Sequence, residues 1–219
     1  LSEEEIKIVN SKLSMLYNVV KSYTYCTIVS KDNLLGVISN NGKLITEYKY
    51  TEIDVIDERT AIVGTGCTEK GIISLKTGKE IIECSKFRVS QMGRNGDLFL
   101  IIDDYAWICN YTGKRVSNLY DEVDLSIGIG QYYAFINNDD KNRKRITIID
   151  YYGKNMGTYE SMYGVFTTSK KVVKLLPSAK CGANRFGVIA SDGKLITKDT
   201  FNYINYWVDT ESFTLGKLT

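Results

Sequence analysis

NLLGVISNNGKLITEYKYTEI, Asn33 to Ile53, is the stretch that decides the fold. It holds an apolar run (Val37-Ile38), an Asn41-Gly42-Lys43 turn, a second apolar run (Leu44-Ile45) and then an aromatic, Tyr50. Glycine accepts the positive φ of a tight turn between twisted strands, so Asn41-Gly42 between two β-branched runs predicts a hairpin. The pattern recurs. Gly42, Gly78, Gly113, Gly153 and Gly193 are each followed by lysine, at periods of 36, 35, 40 and 40 residues. Such periods are those of repeat architectures.

Working outward from the glycines, a first strand is expected before each turn, at Val37-Ile38, Ile72-Ile73, Trp107-Ile108, Ile148-Ile149 and Val188-Ile189. A second strand follows at Leu44-Ile45, Glu80 to Ile82, Arg115-Val116 and Leu195-Ile196, whereas Asn155-Met156-Gly157 is poor strand material and marks the fourth repeat as irregular. An aromatic opens a third segment at Tyr50, Phe87, Tyr120, Tyr159 and Phe201. A fourth apolar run then lies at Ala61 to Val63, Leu98 to Ile102, Tyr132 to Ile136 and Val172 to Leu176. Four strands in roughly 35 to 40 residues is the size of a propeller blade. The fold expected is therefore all-β with five repeats over residues 23–219, as a five-bladed β-propeller or, alternatively, an open array of β-hairpins. Tyr23 to Val29 (YTYCTIV) sits where it would complete the last blade beside Asn205 to Leu215, and the tail Ser212 to Leu215 competes for the same place.

Residues 1–22 differ from the rest. Ser2 and Glu5 form a capping box, and Ile6, Val9, Leu13, Leu16 and Val20 recur at steps of three and four, which predicts an amphipathic helix ending near Ser22. Its apolar stripe either packs on the β body or contacts a partner.

The repeats resemble the bacterial WG-repeat family, whose units run aromatic-Gly-apolar, a polar Gly-Lys turn and a Tyr-acid-acid-apolar element. Tyr120-Asp121-Glu122-Val123 matches the last element and Phe186-Gly187-Val188-Ile189 the first, while Leu35-Gly36 and Lys70-Gly71 keep the glycine and Tyr105-Ala106 keeps the aromatic. The namesake tryptophan is absent from every opening, and Arg145-Ile146 stands there in the fourth repeat. The resemblance covers about Asn33 to Ile204. It implies a repeat scaffold and transfers no catalytic residue.

Composition narrows the chemistry. With no histidine among 219 residues and five scattered cysteines (Cys26, Cys67, Cys84, Cys109, Cys181), histidine-based acid-base or nucleophilic catalysis is excluded and a zinc site would need unusual ligands. Nothing implies a cofactor. The odd, unclustered cysteines and the acidic first residues favour a reducing, cytoplasmic compartment. A processed secreted fragment is the alternative, because the chain starts at Leu1 without a methionine. No apolar run is long enough for a membrane span. The net charge of +2 is spread along the chain, so any nucleic-acid contact would be local, at Lys141 to Arg145 beside Asp139 and Asp140.

In a ring of blades, the residues preceding each first strand would converge on one axial mouth. Asn33, Lys70, Asp103, Asp104, Tyr105, Arg145, Arg185 and Phe186 are the candidate ligand-binding residues on that ground. Two functions follow. A binding scaffold would present these loops to a protein, peptide or glycan; a glycoside hydrolase or lyase would set Asp103 and Asp104 against Glu69 or Asp32 as paired carboxylates.

Overall fold

The computed structural model describes Ser11 and residues 16–85, 88–93, 96–125, 132–138, 144–161, 166–167, 174–177, 186–189, 195–201, 203–207 and 212–216. Its named elements are all strands, and they form antiparallel sheets laid out in chain order. The first sheet is β1 (Asn18–Ser22), β2 (Cys26–Lys31), β3 (Leu34–Ser39) and β4 (Leu44–Tyr50); the second is β5 (Glu52–Val55), β6 (Thr60–Gly64), β7 (Lys70–Ser74) and β8 (Glu80–Ser85). β9 (Arg88–Met92), β10 (Leu98–Ile102) and β11 (Ala106–Asn110) make a three-stranded sheet. Then come β12 (Glu122–Asp124), β13 (Tyr132–Asn138), β14 (Lys144–Asp150) and β15 (Asn155–Ser161), followed by β16 (Phe166–Thr167), β17 (Lys174–Pro177), β18 (Phe186–Ile189) and β19 (Leu195–Phe201). A two-stranded sheet, β20 (Tyr203–Trp207) and β21 (Ser212–Gly216), comes last.

The sheets are offset by half a repeat from the sequence pattern. The second sheet takes the third and fourth segments of one repeat and the Gly-Lys hairpin of the next: Ile53 and Ala61–Val63 join Ile72-Ile73 and Glu80–Ile82 in one four-stranded unit. Tyr23 to Val29 therefore does not complete the last sheet. Cys26–Lys31 pairs with Leu34–Ser39 in the first, and Tyr203–Trp207 and Ser212–Gly216 pair with each other.

The chain departs from two further expectations. The helix predicted to reach Ser22 does not do so, because Asn18–Ser22 is a strand in register with β2, Val19 opposite Val29 and Lys21 opposite Ile28. β-Branched Val19 and Val20 suit a strand, and β2 supplies backbone partners that a frayed last helical turn would lack. Ile6, Val9 and Leu13 lie outside the described residues, and Leu16 and Val20 are 77% and 54% exposed. The fourth repeat is also regular where an interruption was expected, since Asn155–Ser161 pairs along β14 with one bulge at Met156. It is the third repeat that loses its second strand. Arg115 keeps a single bridge to Cys109, and the Ser117 hydroxyl accepts the Ile108 N–H at 2.8 Å in place of a ladder bond. Thr46 does the same for the Val37 N–H at 3.0 Å.

The chain divides into two compact units, residues 1–103 with 108–117, and residues 104–107 with 118–219. In the first, Cys26, Ile28, Val37 and Tyr50 of the first sheet pack against Ile53, Val55, Ala61, Val63 and Ile73 of the second. Alternation along the strands puts these residues on one face of each sheet, and burying them drives the sheets together. In the second unit, Tyr120 is buried with its ring 4.6 Å from that of Phe135.

The turn glycines lock neighbouring sheets. Gly78 has φ of +72°, and a Cβ there would lie 1.8 Å from the Ile45 carbonyl oxygen; at Gly113, with φ of +82°, it would meet Ile81 at 2.7 Å. These two Gly-Lys turns thus abut the residue three places after the preceding turn glycine, one sheet back.

Candidate functional site

Antiparallel connection puts successive loops at alternate ends of a sheet. The mouth expected from sequence lies at the tips of the central hairpins, the β2–β3, β6–β7 and β10–β11 loops in the first three sheets. Asp32 and Asn33 form a two-residue turn with φ of 52° and 63°, the pair of positive values that a type I′ hairpin requires. Asn33 is there for its backbone. Lys70 bonds Glu52 across Gly64, whose missing side chain leaves room for the lysine stem. Glu69 accepts the Thr65 hydroxyl at 2.8 Å. Asp103, Asp104 and Tyr105 are exposed, Tyr105 by 52%. Arg145 is exposed in β14, opposite Asn137 and Glu160. Phe186 opens β18, and Arg185 lies outside the described residues, as do Lys141 to Arg143 of the basic run. Lys144 of that run lies 3.4 Å from Glu122.

A cavity of about 660 Å³ opens at the opposite end of the first unit's sheets, lined by Tyr25, Glu58, Arg59, Thr60, Ser74, Lys76, Ile81, Tyr111 and Thr112. The β1–β2 turn supplies Tyr25, the β5–β6 turn Glu58 and Arg59, the β7–β8 turn Lys76, and the turn after β11 Tyr111 and Thr112. A volume of this size is within the roughly 300 to 1,000 Å³ of small-ligand sites.

Arg59 organises the wall. Its Nε donates to Asp57 Oδ2 at 2.7 Å, its terminal nitrogen donates to Asp97 Oδ1 at 2.9 Å, and its guanidinium carbon stands 4.5 Å from the Tyr111 ring centroid. Its carbonyl accepts the Leu75 N–H at 2.8 Å. One side chain therefore ties the second sheet to the third. Asp57 is held in turn by the Arg59 and Thr60 N–H groups at 2.8 and 2.9 Å and by the Thr60 hydroxyl at 3.0 Å. Burial pushes its carboxyl up, but these bonds together outweigh it and hold the group below the usual carboxylate range. The hydrogen bond to Asp57 raises Arg59 further.

A second charged cluster sits where the first sheet meets the second. Lys49 lies 2.7 Å from Glu80, and the Tyr50 hydroxyl donates to the same carboxylate at 3.0 Å. Burial first, and the Glu80 bond after it, push Tyr50 up to about 12. Glu80 is itself lowered: burial opposes this, and the bonds from Lys49, the Cys84 N–H and Tyr50 prevail. Among the described residues, both carboxyls with displaced pKa values thus move toward ionisation. A general acid needs the opposite displacement.

Among the described residues no three His, Cys, Asp or Glu side chains come together to hold a metal, and no helix is long and apolar enough to cross a membrane. Cys26, Cys67, Cys84 and Cys109 are free thiols.

The residues of this cavity were not singled out by the repeat pattern, which points to the other end of the sheets. One signal was present: Asp57-Glu58-Arg59-Thr60 just before the Ala61–Val63 run is an Asx-turn sequence, which fixes a loop before a strand. The pairing of Arg59 with Asp97 and Tyr111 spans 38 and 52 residues and has no local signature.

No family model matches the chain, and no curated protein matches it. Solved structures do. Hsv2 of Kluyveromyces lactis is 12% identical over 87% of this chain and 67% of its own, with a TM-score of 0.36. The WD40 β-propeller domain of Doa1 is 11% identical over 90% of this chain and 73% of its own, with a TM-score of 0.29, and the WD40 domain of Toxoplasma gondii coronin is 10% identical over 81% and 55%, at 0.35. Likeness at this level carries no argument about what this chain binds.

Proposed function

We propose that the chain is a non-enzymatic binding scaffold of the WG-repeat type, that its sheets close into a propeller, and that it takes a protein, peptide or glycan partner. The observation that carries the binding reading is the cavity of the first unit, walled by Tyr25 and Tyr111 on turns of different sheets, with Arg59 packed on Tyr111. A rigid scaffold with its contacts on loops is how repeat proteins present a binding surface. The succession of four-stranded antiparallel sheets supports the propeller. The five Gly-Lys turns and Tyr120-Asp121-Glu122-Val123 support the family. The odd number and scattered positions of the five cysteines support a reducing compartment.

The hydrolase reading requires one carboxyl kept protonated and a second ionised nearby. Asp57 is engaged by Arg59 and Thr60, and Asp103 and Asp104 are solvated. The test is backbone amide shift mapping of the labelled chain against a pool of oligosaccharides and a pool of peptides, with product release followed by chromatography. Shifts gathered at Tyr25, Glu58, Lys76 and Thr112 without product are expected. Oligosaccharide cleavage abolished by Asp103→Asn or Asp104→Asn would sink the scaffold reading in favour of the enzyme.

A further inference from the structure

The side chains of the first unit's cavity differ in how far the fold itself already engages them. The Thr60 hydroxyl donates to Asp57, the Thr112 hydroxyl donates to Asn110 at 2.7 Å, and the Ser74 hydroxyl accepts the Thr77 N–H at 3.3 Å. Arg59 is bound by two carboxylates and stacked on one face of Tyr111. Two charged groups are left, besides the hydroxyls of Tyr25 and Tyr111. Glu58 and Lys76, both exposed at the rim, have no ion-pair partner among the described residues. The remaining wall is the rings of Tyr25 and Tyr111 and the body of Ile81.

These side chains separate the ligand classes. A glycan buries many hydroxyls, each costly unless paired, and needs a dense set of uncommitted polar side chains. The cavity offers few, and among the described residues its lining contains no Asn or Gln. A peptide needs less: one large apolar side chain to fill a pocket between aromatic rings, and charged neighbours that meet opposite charges at the rim. Tyr111 supplies an ordered ring, since Arg59 already holds it and little is lost on binding.

We infer that this cavity, on the binding-scaffold reading above, takes a short peptide segment of a partner protein that places one large apolar side chain between Tyr25 and Tyr111, an acidic residue at Lys76 and a basic residue at Glu58. The two rim charges lie on different turns, β5–β6 for Glu58 and β7–β8 for Lys76, so they set the direction in which the peptide lies.

The test is selection of a random heptapeptide library against the immobilised full chain, with fluorescence anisotropy of one enriched synthetic peptide and a glycan array probed in parallel. Enriched peptides are expected to carry an apolar residue flanked by an acid on one side and a base on the other. Lys76→Glu and Glu58→Lys should each weaken that peptide by about five- to tenfold. The double variant should bind the same peptide with its two charged residues exchanged better than the original. Both positions are exposed turns, and unchanged thermal melts establish that the variants fold. Enriched peptides without this charge order, or single reversals that change affinity less than twofold, overturn the inference. Binding on the glycan array that Tyr111→Ala abolishes, with no peptide enriched, overturns the peptide and leaves the scaffold standing. Silence in both arms removes the scaffold reading as well.

Discussion

The guanidinium carbon of Arg59 stands 4.5 Å over the ring of Tyr111, on a side chain that also reaches Asp97 at 2.9 Å. Arg59 lies in the second sheet's first turn, Asp97 in the β9–β10 connection of the third sheet and Tyr111 just after β11. The contact is both a cation–π pair and part of an ion-pair network, so it ties two sheets together by charge where their strands share no hydrogen bonds.

Replacing Arg59 with leucine should therefore loosen the third sheet from the second. The side chain is 36% exposed, so solvent screening reduces the cost to about 1 to 2 kcal/mol. Urea unfolding measures it, and hydrogen exchange should show faster opening of the Tyr111 and Ala106–Asn110 amides. An unchanged midpoint together with unchanged exchange would mean that the apolar contacts alone join the sheets.

The turn glycines make a sharper prediction, because two of them differ in what they touch. At Gly78 the added Cβ meets backbone, the Ile45 carbonyl oxygen at 1.8 Å; at Gly113 its nearest neighbour is the Ile81 side-chain methyl at 2.7 Å, with the carbonyl at 3.0 Å. A methyl group can rotate away and a carbonyl in a strand cannot. Both alanine variants carry the penalty of a positive φ, about 1 to 2 kcal/mol. Gly78→Ala should cost clearly more than Gly113→Ala, by about 2 kcal/mol. Equal losses in thermal or urea unfolding would show that φ, and not the neighbouring sheet, selects glycine here.

Those glycines also explain what the sequence could and could not reveal. Gly-Lys after an apolar run, and the Tyr50 and Tyr120 positions, recur because each copy faces the same backbone constraint, and recurrence is visible in a chain. The grouping of strands into sheets was hidden, since a repeat can be cut at any phase without changing its period. Cys26–Lys31 settles the phase by pairing with Leu34–Ser39, an interaction no local pattern dictates. The N-terminal heptad spacing misled at Val19-Val20 because apolar residues three and four apart satisfy a helix whether or not a neighbouring strand competes for the backbone. The cavity was illegible for a related reason. Tyr25, Arg59, Lys76 and Tyr111 break the repeat pattern, and only the folded sheets bring their turns to one end.

Acid should destabilise the protein partly through Glu80. Its folded pKa lies below the ordinary carboxyl value, so its contribution is fully present above roughly pH 4.3, the unfolded value, and is lost as pH falls through the folded value. Glu80→Gln should accordingly destabilise the protein at neutral pH, and the difference from the parent should shrink toward zero near pH 2. Urea midpoints between pH 2 and 6 test this. A difference that stays constant with pH would assign the effect to shape and not to charge.

The cysteines should separate by accessibility. Burial pushes the thiols of Cys26 and Cys109 up to about 11 and about 12, while Cys67 is exposed in the β6–β7 loop. Thiolate is the reactive form. Under native conditions at pH 8, iodoacetamide should label the Cys67 peptide and leave the Cys26 and Cys109 peptides unlabelled until urea unfolds the chain, as read by mass spectrometry. Labelling of all three at one rate would mean that the first unit opens readily.

Lys70 and Glu52 offer a test of how sequence position relates to role. They sit on β7 and β5, with Gly64 of β6 between them in register with both. A Cβ at Gly64 would lie 3.2 Å from the Glu69 carbonyl oxygen, 3.3 Å from Lys70 Nζ and 3.4 Å from its Cδ, so a side chain there would crowd the lysine. Glu52 is exposed, so a double-mutant cycle with Lys70→Met and Glu52→Gln should give a coupling below about 1 kcal/mol. The same cycle in a Gly64→Val background should give almost none, because the valine displaces the lysine stem from its path across the strand. A coupling that survives Gly64→Val would show that Lys70 reaches Glu52 by another route, and that the glycine serves the backbone alone.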